Sequence, residues 1–389
     1  MSLDGELSRP VEHSARDGLA VSQKRFINVG TLVLESGIEI PDITVAYQTY
    51  GTFTGKNAVL IEHALTGDSH VAGVQSETSQ VGWWDDLVGP GKAVDTNKWF
   101  VVCANVLGGC QGTTGPASPN PIDGRSWGSR WPRITVRDQV AVELMLTTAL
   151  GIDSYAAILG GSMGGMRALE WLVSHPARVG SALLLATSAQ ASADQVGTQS
   201  VQIAAITNDP MWLRGDYYLD SDGRGPQNGL AIARQMAHLT YRTERELASR
   251  FGLSSQGSEN PYGDRVYGRH ADAGRFAVQS YLEHHGDKLV ARFDAGSYVS
   301  LTDVLNTHDI ARGRGSVAEV LGQIQAPVVV GGIDSDRLYP ISQQAQLAEF
   351  IPTAERLEVI HSEFGHDGFL IEIEQVGRLV ARVLDAVPE

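Results

Sequence analysis

Basic charge, cysteine and long apolar runs are all scarce in this sequence. Its 389 residues carry 30 Lys and Arg against 45 Asp and Glu, a formal net charge of −15. That balance argues against a nucleic-acid surface and against long-range attraction of an anionic ligand, so any anion must be captured by local arginines. The two cysteines, Cys103 and Cys110, form neither a disulfide framework nor a CxxC metal spacing, and read as idle thiols. No run of about 18 apolar residues is present to span a bilayer. The opening "MSLDGELSRPVEHSARDGLAVSQ" is too polar for a secretory signal. The expectation is a cytoplasmic protein that binds neither membrane nor nucleic acid.

What is present is apolar sequence in short pieces. At 42% hydrophobic, the chain can bury a sizeable core. Six apolar runs end at polar or glycine residues: 57–65, 99–107, 155–161, 181–189, 326–333 and 355–361. Runs of this kind read as fully buried strands of a parallel sheet, and helical periods such as 137–151 lie between several of them. The fold class is therefore α/β, a mostly parallel sheet with helices on both faces. The rhythm breaks over 190–320, where 228–252 and 276–293 suggest amphipathic helices between Gly, Asn, Asp and Pro loops. This predicts a polar tail over 1–25, a catalytic core over 26–189 and 321–389, and an inserted helical cap over 190–320.

One stretch has more glycine than a turn requires. "ILGGSMGGMRALEW" (158–171) sets G-x-S-x-G directly between a predicted strand and a predicted helix, the context of a nucleophile elbow. There Ser162 would sit at the tip of a strained turn with its hydroxyl clear of the sheet. Glycines two before and two after would prevent collisions with the neighbouring strand and helix. The Met163 N–H and the positive end of the helix would lie beside any oxyanion formed. Neither GxGxxG nor GxxxxGK[ST] fits these residues, which leaves a plain glycine turn as the rival.

An elbow calls for an acid after a later strand and then a histidine. Asp334 and Asp336 end the run 326–333, and His366 follows the run 355–361, in the order Ser, Asp, His. A second oxyanion amide is expected from Ala64, Leu65 or Thr66, after the first apolar run. His63 and His70 flank that loop without a clustered third ligand, so no metal is expected.

Taken together, "HALTGDSH", "GWWDDLVGPGKAVDT", "NVLGGCQGTTGP", "GGSMGGMRALEW", "AHLTYR", "RFDAGSYV" and "GHDGFL" make the chain resemble the homoserine O-acetyltransferases, α/β-hydrolase-fold enzymes of methionine biosynthesis. The resemblance runs from about residue 27 to about 385. It implies acetyl transfer from acetyl-CoA, a co-substrate, to the hydroxyl of L-homoserine through an acetyl-serine, with no cofactor and with a homodimer as the assembly. It also selects Asp336 over Asp334, assigns the oxyanion amides to Leu65 and Met163, and matches the substrate-binding residues to Arg234 and Asp367. Opposite charges suit a zwitterionic amino acid, which needs a cation for its carboxylate and an anion for its ammonium. Arg125, Arg130, Arg312 and Arg314 are candidates for the CoA phosphates and equally ordinary surface charges. Alternatives are a succinyl donor, serine or deacetylcephalosporin C as acceptor, an esterase or thioesterase of the same fold, and a non-catalytic binding protein.

Overall fold

The computed structural model describes residues 23–74, 80–220, 223–263 and 274–387. Eight strands make one sheet: β1 (Arg25–Val33), β2 (Glu39–Tyr50), β3 (Ala58–Glu62), β4 (Phe100–Ala104), β5 (Ala157–Gly161), β6 (Ala182–Leu185), β7 (Val328–Ile333) and β8 (Leu357–Ile360). Their order across the sheet is β1-β2-β4-β3-β5-β6-β7-β8. β2 runs antiparallel to both its neighbours, and every other adjacent pair is parallel. All six apolar runs contribute a strand. The β1–β2 pair was not anticipated, because β1 is half-exposed along its length and offers no continuous apolar run. Most of the polar tail expected over 1–25 lies outside the described residues, and Arg25 already opens β1.

Successive strand residues point to opposite faces, and the core divides accordingly. Leu60, Val102, Ile158, Leu184 and Val330 join one cluster, which includes residues of α1 (Val136–Ala149) and α2 (Met163–Ser174). Ile61, Cys103, Leu159, Leu185 and Ile333 join the other, with Trp84 and the C-terminal helix Ile373–Asp385. Between β6 and β7 come α3 (Ala193–Thr207), α4 (Gln227–Tyr241), α5 (Glu244–Phe251), α6 (Ala277–Val290) and α7 (Ala295–Asn306). α3 starts at a capping box in which the Ser192 hydroxyl accepts from the Gln195 amide and the Gln195 side chain accepts from the Ser192 amide. α4 packs between α3 and α6, and its last residue, Tyr241, lies with its ring 5.7 Å from that of His366.

A buried ionic knot ties the elbow's helix to the sheet. The fully buried Arg167 of α2 pairs at 2.6 Å with Glu62 at the end of β3 and at 2.6 Å with Glu143 of α1. It also donates to the His63 carbonyl at 2.6 Å, and Trp171 Nε1 donates to Glu143 at 2.9 Å. Burial is the largest influence on Glu62; Arg167 opposes it, Glu143 adds to it, and the carboxyl ends well above its ordinary range. Removing Arg167 takes from the buried Glu62 and Glu143 the cation that both of them bond. Arg167→Met is therefore expected to cost about 3–5 kcal/mol in equilibrium urea unfolding, and a loss below about 1 kcal/mol would contradict this role.

Candidate active site

Ser162 is the single residue between the end of β5 and the start of α2. Its backbone sits at φ 57°, ψ −123°, a region that costs a non-glycine residue of order 1–3 kcal/mol. Hydrogen bonds hold it there. Its N–H donates to the Leu185 carbonyl of β6 at 2.9 Å, and its carbonyl accepts from Thr187 Oγ1 at 2.9 Å and from the Met166 amide at 3.2 Å. The two flanking glycines make the turn possible by close approach. A Cβ on Gly164 would overlap the Glu62 carbonyl oxygen of β3, and one on Gly160 would overlap the Gly164 carbonyl oxygen of α2. The first turn of α2 is thereby pressed against the sheet.

From this tip a chain of proton contacts runs inward. His366 Nε2 lies 2.9 Å from Ser162 Oγ, and His366 Nδ1 lies 2.6 Å from Asp336 Oδ2. The other oxygen of Asp336 accepts from the Leu338 and Tyr339 amides at 2.8 and 2.9 Å. With the carboxylate accepting from Nδ1–H, Nε2 of the neutral ring is left to accept from the serine hydroxyl. All three residues are buried, and Tyr339 stacks on the imidazole at 5.2 Å with Phe369 at its edge. Asp334, two residues earlier, turns away and accepts from His361 Nδ1 at 2.8 Å. Of the two candidate acids, Asp336 is therefore the one that meets His366. Burial works against charging His366, but the Asp336 carboxylate outweighs it and holds the ring above its ordinary 6.5.

The amide candidates flank the same tip. Met163 is the first residue of α2, where N–H groups have no intrahelical acceptor. Glu62 pairs with Gly160 across β3 and β5, so the loop carrying Leu65 leaves the sheet beside the elbow. His63 in that loop has both ring nitrogens engaged, one by the Val106 amide at 3.1 Å and the other at the Ala64 carbonyl at 2.8 Å. Burial, then Arg167, pushes it down to about 3, so the ring is neutral.

Arg234 and Asp367 face one cavity of about 470 Å³. The Arg234 guanidinium lies 5.3 Å from the Tyr241 ring centroid, and its buried Nη1 has no hydrogen-bond partner among the described residues. Asp367 follows His366 directly. Its carboxylate is 3.7 Å from Arg242 Nη1, and burial raises its pKa despite His366, Arg242 and Arg234 nearby. Sequence reading gave no role to Arg242, His238, Tyr281 or His285, which line the same cavity from α4, α6 and the turn between α4 and α5. Three of the arginines considered for phosphate are committed elsewhere: Arg130 to Asp123 at 2.7 Å, Arg312 to Glu35 at 2.7 Å and Arg314 to Glu170 at 2.6 Å. Arg125 is exposed. Cys103 and Cys110 are both free thiols.

The sheet order, the serine elbow and the buried Ser–His–Asp chain define an α/β-hydrolase, and residues 57–372 match the family model described as alpha/beta hydrolase fold. The chain is 52% identical over 363 residues to a homoserine O-acetyltransferase of Mycobacterium leprae, covering 92% of each protein. The crystal structure of a homoserine O-acetyltransferase from Bacillus anthracis superposes with a TM-score of 0.85 at 27% identity, over 94% of this chain and 98% of that one. The fold is shared more widely, since esterase E22 superposes with a TM-score of 0.83 at 23% identity, over 93% of this chain and 100% of that one. The chain belongs to the homoserine O-acetyltransferase family.

A neutral His366 is needed to take the serine proton, so reactivity grows as pH rises through its pKa. Labelling of Ser162 by a fluorophosphonate should therefore follow a single titration with a midpoint above 6.5. Asp336→Asn should lower that midpoint and slow labelling on the order of 10⁴-fold. A midpoint unmoved by the substitution would contradict the coupling.

Proposed function

We propose that this protein is an acetyl-CoA:L-homoserine O-acetyltransferase acting in methionine biosynthesis, with Ser162 as nucleophile, His366 as general base and acid, and Asp336 as the orienting acid. The observation that carries the reading is the Ser162–His366–Asp336 contact chain, at 2.9 and 2.6 Å, in a chain 52% identical to a protein of that name. Ser162 Oγ attacks the thioester carbonyl while its proton passes to His366 Nε2. The Leu65 and Met163 amides hold the tetrahedral oxyanion. The C–S bond breaks, His366 protonates the departing thiolate, and acetyl-Ser162 remains. Homoserine then enters, its carboxylate on Arg234 and its ammonium on Asp367. His366 removes the hydroxyl proton, the oxygen attacks the ester, and O-acetylhomoserine leaves as the proton returns to Ser162. The scheme calls on no cofactor.

Transfer must outcompete hydrolysis. Water at about 55 M faces an acceptor below about a millimolar, so the enzyme must favour the alcohol by roughly 10⁵, or about 7 kcal/mol in barrier height. The segment 190–320 supplies this as a cap that excludes water and brings Arg234 to the homoserine carboxylate, while Asp367 of the core takes the ammonium. Tyr241 of α4, packed near His366, supports that role. The proposal includes a cytoplasmic homodimer. Exposed Ile232 and Leu239, seven residues apart on α4, supply an apolar stripe consistent with a dimer contact. Among the described residues no helix is long and apolar enough to cross a membrane.

An esterase or thioesterase is the second reading, favoured only by the shared fold. One assay separates them: thiol release from acetyl-CoA and succinyl-CoA, each with homoserine, serine or water alone. Rapid release is expected with acetyl-CoA and homoserine, with every other combination at least about tenfold slower. Ser162→Ala should lower kcat on the order of 10⁴-fold or more. Equal release in water alone would overturn the transferase reading.

A further inference from the structure

The cavity that holds Arg234 and Asp367 is larger and far more cationic than a four-carbon amino acid requires. Its volume of about 470 Å³ falls within the range that takes a drug-sized ligand. Arg234, Arg242, Arg250, Lys288 and Arg292 line it against the single carboxylate of Asp367. In a chain of net charge −15 that concentration of positive charge is local and specific. Homoserine's carboxylate accounts for one of these cations, Arg234.

The remaining cations sit at different depths. Arg242 is mostly buried and already shared between Asp367 at 3.7 Å and Glu246 at 3.8 Å. Arg250, Lys288 and Arg292 are exposed at the mouth. Arg250 lies over the Tyr281 ring at 4.5 Å, with Glu246 at 3.7 Å. Lys288 has no carboxylate partner among the described residues. Tyr281, His285 and Lys288 follow at i, i+4 and i+7 on α6, and Arg292 continues that stripe just past the helix end. The stripe is roughly 16 Å long at 1.5 Å per residue. Arg292 also reaches the oxyanion loop, donating to the Thr66 carbonyl at 2.9 Å. One end of the stripe therefore adjoins the loop that carries Leu65, and the rim around Lys288 and Arg250 opens to solvent.

The two histidines of this wall register the field around them. His238, stacked on His285 at 4.0 Å, is pushed down by burial first and then by His285, Arg234, Arg242 and Arg250. His285 falls to about 4 through burial and then through Arg234, His284, Lys288 and Arg242. Both rings are therefore neutral and add no further charge to the wall. The buried Nη1 of Arg234 has no acceptor among the described residues, which marks the interior as a place prepared for an anion.

We propose that the rim cations Arg250 and Lys288 hold the phosphate groups of the thioester donor, whose uncharged arm runs along the α6 stripe past Arg292 to Ser162. The inference rests on the acetyl-CoA reading above and deepens it: donor and acceptor share one cavity, with the acceptor's zwitterion at its floor and the donor's phosphates at its mouth. Such a division suits a two-step transfer, since the thiol product vacates the floor before the amino acid enters.

The test compares donors with and without phosphate. Lys288→Ala and Arg250→Ala, both at exposed positions, should each raise KM for acetyl-CoA about fivefold, and the double variant about twentyfold. KM for S-acetylpantetheine, which has the same thioester and arm without phosphate, should move less than twofold. Added salt should raise KM for acetyl-CoA in the wild-type protein and much less in the double variant. Equal shifts for both donors, or none for acetyl-CoA, would overturn the proposal. Calorimetric binding of CoA and of pantetheine to the same proteins separates its failure from that of the parent reading. A wild-type protein that transfers no acetyl group yet binds CoA in a rim-dependent way would defeat the transferase reading alone. CoA binding that ignores the rim, or is absent, would defeat this one.

Discussion

The architecture depends on how closely the first turn of α2 lies against the sheet. With only hydrogen at Gly164 and Gly160, the helix start can approach the Glu62 carbonyl and the end of β5, and Ser162 is forced into its left-handed turn. That conformation is unfavourable alone. It persists because β6 accepts the Ser162 amide, Thr187 and Met166 donate to its carbonyl, and the Arg167 knot clamps α2 to β3 and α1. The side chain is thereby aimed before any ligand arrives.

The sheet's polarity brings the rest of the site to the same place. Ser162 follows β5, Asp336 follows β7 and His366 follows β8, and parallel strands deliver all three to one edge. Residues separated by 204 positions in the chain thus meet through a 2.9 Å contact. This is the general advantage of the carboxyl ends of a parallel sheet as a ligand site. The inserted helices then add what the sheet cannot: Tyr241 beside the imidazole, and a cavity whose cations come from α4, α5, α6 and the turns beside them.

How much of this was legible in the sequence follows from the range of each interaction. The elbow is local, written in five consecutive residues, and so could be read directly. β3 to β7 were legible because burial on both faces makes them almost uniformly apolar, and the half-exposed edge strand β8 was legible from its short apolar run. β1 and β2 were not, since an antiparallel edge pair alternates and carries Asn28, Gly30 and an irregular register. A single residue separates Asp334 from Asp336, and only the backbone path, which sends the first to His361 and the second to His366, distinguishes them without appeal to relatives. The cationic cavity was hidden for a different reason. Its cations are scattered from residue 234 to residue 292, each looking like a solvated surface charge until α4, α5 and α6 are packed together.

The central claim is that Ser162 carries the acyl group between two substrates. Its most direct test is mass spectrometry of the protein mixed with acetyl-CoA alone and quenched in acid. The account predicts one acetyl group, located on the peptide containing Ser162, that disappears when homoserine is added before the quench. An unmodified Ser162 under conditions where O-acetylhomoserine still forms would contradict it, because the acetyl group would then pass directly from donor to acceptor.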